Sequence, residues 1–284
     1  MIQIEHLNTA TMHPRGGGRW DGSERGVFDR AHLVAHCLLL ALDTGEYALV
    51  DTGLGRNGAA EPHTWLGGVW TGLFHPTLDE TQTAAAQLEA RGINPSQVST
   101  VITTHLDADH SGGLADFPDA TVLVHGAELY AWKNPGFVER RRYRDSHFGH
   151  TPKFQPVLQT GDTWMGLPAI RNISGLPPQI VIVPLPGHSP GHVGVAVERP
   201  DGSWLLHAGD SYFFHGEIDA DPTCPLYMNL FRHFTAVDPA ARKQTLAELQ
   251  RLRGHVDIVN SHDLHEFERV TSGTSPDLAL AETA

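Results

Sequence analysis

The sequence predicts a layered α/β protein, and three observations carry that prediction. Short runs of β-branched and aliphatic residues alternate with segments of good helix formers. The 284 residues include 40% apolar and 19% charged side chains with no low-complexity tract, the composition of an ordinary globular chain. No repeat of solenoid period and no linker-like shift in composition divides it. At about 150 residues per domain the length allows one large unit or two small ones; the missing linker favours one domain over residues 1–284.

Residues 1–30, rich in Gly, Arg and polar side chains, read as an irregular N-terminal arm, at least over 14–25. Residues 35–42 and 47–50 have the length and flanks of a hairpin, because Asp43-Thr44-Gly45-Glu46 between them is turn chemistry. The second strand runs into Asp51-Thr52-Gly53. A Gly-rich stretch follows, in which Trp65, Trp70, Leu73 and Phe74 serve either as core or as the wall of a hydrophobic pocket. Residues 79–91 predict a helix, with acids in its first turn and Gly92 placed to end it. The β-branched run 98–104 stops at His105, and 121–125 is a further short strand. Residues 132–178 are the least regular and predict an insertion or a lid. Strands are expected over 179–185, 193–198, 203–207 and 256–260, and Asp238-Pro239 caps and starts a helix that runs to about Arg253.

Twenty basic against 33 acidic side chains give a net charge of −13, a field that repels phosphate backbones and anionic lipid. No nucleic-acid and no membrane partner is expected; a small-molecule substrate is. Two cysteines, Cys37 and Cys224, are too few for a disulfide framework or a Cys-based zinc module. Any metal must then be held by His and carboxylate, and the 19 dispersed histidines supply candidates. The N-terminus lacks a signal-type apolar run, and nowhere do about 18 apolar residues follow one another, so a cytoplasmic protein is expected. A homodimer is the expected assembly.

The strongest local feature is Thr104-His105-Leu106-Asp107-Ala108-Asp109-His110-Ser111-Gly112-Gly113, directly after a β-branched strand. If extended geometry persists, His105, Asp107 and Asp109 share a face, and a turn at Asp109 swings in His110. The plain alternative is a solvated acidic loop. Three more apolar strands deliver a ligand type at their C-terminal ends: 180–185 leads to Gly187-His188-Ser189-Pro190-Gly191-His192, 204–206 to His207-Ala208-Gly209-Asp210, and 256–260 to Ser261-His262-Asp263. Sites in α/β proteins gather at such ends.

On these residues the chain resembles the metallo-β-lactamase superfamily over about residues 33–268. The resemblance implies an αββα sandwich, two mixed sheets flanked by helices, and a dinuclear metallo-hydrolase. It assigns His105 and His188 to one metal, Asp109, His110 and His262 to the second, and Asp210 as the bridge; Asp51 corresponds to a supporting position. The strings GHSPGH and SHDLHEFE are most similar to the quorum-quenching lactonases of acyl-homoserine lactones, which place a tyrosine after the bridging aspartate, and Tyr212 is the candidate for it. One departure stands out: Asp107 occupies the place of the family's second His. A carboxylate makes that site harder, so that Mn or Fe joins Zn, the expected metal for both ions. Asp107 either binds directly, the reading we favour, or reaches the metal through water, or leaves the site weak.

The implied chemistry is attack of a metal-bridging hydroxide on a lactone or ester carbonyl, with Asp109 shuttling the proton. Two alternatives remain. His105, His188 and Asp210 alone form the ligand set of a mononuclear non-haem iron oxygenase acting on a persulfide, and a thioester hydrolase of glyoxalase II type shares the core. A protein that has lost catalysis is a third, motivated only by Asp107. The basic run 140–144 reads as a solvated loop, the alternative being a contact to an anionic substrate. His125, His192, His207 and His265 are expected in structural or supporting roles, and His13, His63 and His75 in none.

Overall fold

The computed structural model describes residues 2–136, 139–150 and 152–273. Alternation of apolar side chains along the strands explains its layering. Six strands, β1 (Gln3–Met12), β2 (Leu33–Ala41), β3 (Tyr47–Val50), β4 (Val98–Ile102), β5 (Thr121–His125) and β6 (Lys153–Val157), line up in chain order in one sheet. Its first two pairings are antiparallel and the last three parallel. A hairpin of β7 (Asp162–Trp164) and β8 (Leu167–Ala169) follows. The second sheet is also mixed and has the order β12 (Asp257–Val259), β11 (Trp204–His207), β10 (Val193–Glu198), β9 (Ile180–Pro184).

Every second residue of each strand faces one layer. Leu38 and Leu40 of β2 and Val50 of β3 meet Ile180 and Ile182 of β9 and Val195 of β10 between the sheets. The alternate set on β2, Cys37 and Leu39, packs outward against Ala84, Ala85 and Leu88 of the helix Ala84–Ala90. Val181 and Val183 of β9 likewise turn outward to Leu249 and Leu252 of the helix Pro239–Leu252. Four layers result, helix, sheet, sheet, helix, as the resemblance implies. Among the described residues no helix is long and apolar enough to cross a membrane.

The differences from expectation have local causes. Residues 3–12 are not part of an irregular arm: β1 pairs with β2 from Gln3 opposite Ala41 to Met12 opposite Leu33. Its polar residues hide the alternation because several bond internally; the Thr9 hydroxyl, for example, donates to the Ala35 carbonyl at 2.9 Å. The helix expected over 79–91 begins late, since Thr83 takes the N-cap and accepts from the Ala86 N–H, leaving Glu80–Gln82 as a separate 3₁₀ turn. The segment 132–178 contributes β6 to the first sheet and the β7–β8 hairpin under the second, so only the part around Glu139–Phe148 stands near the cleft described below. Residues 1, 137, 138, 151 and 274–284 of the expected domain lie outside the described residues.

Leu7 of β1 is fully buried against the outer face of the first sheet. Leu7→Ala is expected to cost about 2–5 kcal/mol, read from the urea midpoint; an irregular surface arm would lose less than about 0.5 kcal/mol.

Candidate metal centre

The C-terminal ends of β3, β4, β9, β11 and β12 open onto one edge of the sandwich. There the chain leaves β4 after Ile102, earlier than an extended 98–104 would, and winds one helical turn at Ala108–Ser111. It is this turn, and not persisting strand geometry, that brings Asp109 and His110 to the edge beside His105.

Among the described residues two groups of potential ligand atoms form: His105, His188 and Asp210, and Asp109, His110 and His262. Asp210 joins them. Its Oδ2 lies 3.4 Å from His188 Nε2 and 3.8 Å from His105 Nε2, while its Oδ1 lies 3.1 Å from His262 Nε2 and 3.3 Å from His110 Nε2. Asp109 approaches His262 Nε2 at 3.7 Å and His110 Nε2 at 3.9 Å. Nε2 of His105, Nε2 of His110 and Oδ1 of Asp210 are buried and make no hydrogen bond. Buried polar atoms are almost always paired, and imidazole and carboxylate atoms aimed at one another without protein partners suit divalent cations.

The supports of these side chains point their lone pairs inward. His110 Nδ1 donates to Asp51 Oδ2 at 2.8 Å, and His262 Nδ1 to the Val34 carbonyl at 2.8 Å, which leaves each Nε2 free for a ligand. His105 Nδ1 donates to the Thr104 hydroxyl, which itself donates to Asp51. His192 serves Asp210: its Nδ1 bonds the Leu185 carbonyl and its Nε2 accepts the Asp210 N–H at 2.9 Å. Burial opposes charge throughout, yet His262 and His110 hold the Asp210 carboxyl well below its usual range, and Asp210 with Asp109 and Asp51 raises His110 well above its own. The site therefore concentrates negative charge, which suits divalent cations.

A cleft of about 300 Å³ leads to this floor, walled by Trp20, Trp70, Phe74, Phe213, Phe231 and Phe234. Trp70 and Phe74 thus act as wall, whereas Trp65 donates its indole N–H to the Gly112 carbonyl and braces the ligand loop. Leu73 is exposed and belongs to neither the core nor the wall, contrary to both readings of it.

A sequence profile described as the Metallo-beta-lactamase superfamily matches residues 32–262. The chain belongs to the metallo-beta-lactamase superfamily. It is a metallo-hydrolase of that superfamily, and its two His/Asp groups are compatible with a dinuclear site. It is 31% identical over 278 residues to a protein of Mycobacterium tuberculosis (strain ATCC 25618 / H37Rv) named a probable metallo-hydrolase, covering 95% of this chain and 84% of that one. It is 28% identical over 170 residues to the N-acyl homoserine lactonase AttM of Rhizobium radiobacter, covering 60% of this chain and 62% of that one. The fold is similar, with a TM-score of 0.70 at 18% identity over 93% of this chain and 94% of the other, to an N-acyl homoserine lactone hydrolase solved with N-hexanoyl-L-homoserine at its metal centre.

Within this superfamily site two expectations need correction, those for Tyr212 and Arg142, and Asp107 has a partner the sequence does not announce. Tyr212 is fully buried and its hydroxyl donates to Glu266 at 2.9 and 3.1 Å, away from the cleft. Adjacent side chains diverge, so the aromatic ring facing the floor is Phe213, stacked on His262. Asp107, expected as a direct ligand, is not one of the residues of the two groups, yet its Oδ2 lies 3.4 Å from His105 Nε2. Its Oδ2 lies 3.2 Å from His188 Nε2, but the carboxylate is forked by Arg142, with Nε at 2.9 Å from Oδ1 and Nη2 at 2.5 Å from Oδ2. Burial opposes its ionisation, and Arg142 and His105 more than offset this, holding the carboxyl well below the usual range. Arg142 itself departs from the expected solvated loop: its side chain is 9% exposed, whereas Arg140 stays exposed as expected.

Glu128 was not legible as a site residue, since nothing in Gly126–Lys133 marks one Glu on a helix as special. Its buried carboxylate accepts from the Leu106 N–H (3.1 Å), the Tyr143 hydroxyl (2.9 Å), the Ser189 hydroxyl (2.6 Å) and the Gly191 N–H (3.0 Å). It ties the His105 loop, the His188 loop and the Arg142 segment together. Gly191 is required there, because a Cβ would come within 2.1 Å of the Glu128 backbone nitrogen. Glu128→Ala leaves four donors without an acceptor and is expected to cost more than about 3 kcal/mol in urea unfolding. Tyr212→Phe is expected to cost about 1 kcal/mol while turnover stays at the wild-type level, because the hydroxyl serves Glu266 and not the reaction.

Proposed function

We propose that this chain is a dinuclear metallo-hydrolase that opens lactone or ester carbonyls of apolar acyl substrates, with acyl-homoserine lactones first among them. The carrying observation is one carboxylate, Asp210, whose two oxygens face two convergent groups of candidate ligands at the floor of an aromatic cleft. The name of the Rhizobium radiobacter relative supports the lactone substrate. His105, His188 and Asp210 hold one cation and Asp109, His110, His262 and Asp210 the other. Two such ions, zinc in our reading, supply Lewis acidity toward a carbonyl oxygen and acidify a water.

The chain's residues do the rest. The wall of Trp70, Phe74, Phe231 and Phe234 takes the acyl chain out of water and leaves the carbonyl over Asp210. Water oxygen bonds the carbonyl carbon as Asp109 accepts its proton. The ring C–O bond then breaks, and Asp109 returns the proton to the departing alkoxide, giving the hydroxy acid. The complete group of Asp109, His110 and His262 favours this reading over the mononuclear oxygenase, which has no use for it.

Incubation with short- and long-chain acyl-homoserine lactones, followed by pH indicator, is expected to release acid, faster for longer chains. Chelation should stop it, added Zn²⁺ restore it, and Asp210→Ala reduce it to the blank. Turnover of an aryl ester without any lactone would make the chain a general esterase; oxygen uptake with a persulfide would overturn hydrolysis.

A further inference from the structure

The guanidinium of Arg142 uses all five of its N–H donors at the edge of the first ligand group. Nε and Nη2 fork the Asp107 carboxylate, Nη1 donates to the carbonyls of His188 and Thr235, each at 2.8 Å, and Nη2 also meets His188 Nε2. A guanidinium has no lone pair to offer. His188 Nε2 must therefore be the acceptor, and the lone pair it directs at Arg142 is the same one it would offer to a cation. The Asp107 Oδ2 bonded to Arg142 also lies 3.4 Å from His105 Nε2. Two of the potential donors around the first group are thus engaged by a positive charge that belongs to the protein. No guanidinium or ammonium reaches the second group: among the described residues, the hydrogen-bond and ionic partners found for the side chains of Asp109, His110 and His262 are one another, Asp210, Asp51, Thr104 and backbone.

The geometry points to Arg142 as a resident cation that competes with metal for the first ligand group, so that the two groups fill in separate steps. The group of Asp109, His110 and His262 fills first and tightly. Filling of the His105 and His188 group requires the guanidinium to leave His188 and Asp107, since two cations sharing these donors repel each other. Once released, Asp107 becomes available as an additional oxygen ligand. The inference rests on the metal-centre reading above and adds an order of loading to it. Its physical form is a competent state diluted by an Arg-bound one, which weakens apparent affinity by the competent fraction.

The test is a Zn²⁺ titration of the metal-stripped full-length chain against a chromophoric chelator, for the wild type, Arg142→Ala and Arg142→Gln. The Gln variant keeps an amide donor for the neighbouring carbonyls and covers the case in which Ala does not fold. Two unequal steps are expected for the wild type. Either substitution should tighten the weaker step by about tenfold or more and leave the tighter step where it was. A weaker step that is unchanged or loosened overturns the inference and leaves the dinuclear reading in place; loosening of both steps would make Arg142 a brace of the loops only. Absence of Zn²⁺ binding in every form overturns the metal centre and the competition together.

Discussion

The Asp51 carboxylate is the fixed point on which the edge of the sandwich depends. It accepts from the Thr104 N–H and hydroxyl, both at 2.7 Å, and from His110 Nδ1 at 2.8 Å. Burial works against its charge, yet His110 more than offsets that and lowers it. Asp51 follows β3 with a φ of 59°, a conformation costly for a side-chain-bearing residue and sustained by these bonds. Through them the end of β3 determines where β4 releases the chain, which way His105 and His110 turn, and which ring nitrogen each presents. The neighbouring Gly53 has no room for a Cβ, which would meet the Thr9 hydroxyl oxygen at 2.0 Å, so β1 sets the same loop from the other side.

The central layers were legible because their signal is periodic and local. Ile180 to Val183 of β9 and Cys37 to Leu40 of β2 alternate between two apolar environments, so a plain run of aliphatics marks a strand covered on both faces. His105, His188, Asp210 and His262 were legible for a related reason: each follows a strand end within a few residues, where backbone direction is already decided, whereas Asp109 and His110 reach the edge only through the turn Ala108–Ser111. β1 escaped notice because polar residues on an edge strand are satisfied by partners distant in sequence, as Thr9 is by Ala35. Glu128, Arg142 and the orientation of Tyr212 escaped for a stronger version of that reason. Each acts through a contact set only by tertiary packing, and neither spacing nor composition carries such contacts.

The Asp107 position shows how one charge propagates. A neutral imidazole in that place would need no counter-charge. A carboxylate there, among Asp210, Asp109 and Asp51, needs one, and the nearly buried Arg142 provides it from a different segment. The same guanidinium closes on the Thr235 carbonyl at the end of the helix Leu226–Thr235. A charge change at a ligand loop is thereby bound to the position of a cleft wall, a coupling that a tally of ligands alone would miss.

The cleft wall itself comes from the helices Gly68–Phe74 and Leu226–Thr235, from Trp20 and from Phe213, while the ligands come from strand ends. The candidate ligands and most of the apolar wall therefore lie on different parts of the chain. Helices on the rim can exchange one apolar side chain for another without disturbing the strands that hold the ligands. Inheritance of the reaction and drift of the substrate can proceed at separate rates in descendants of this scaffold.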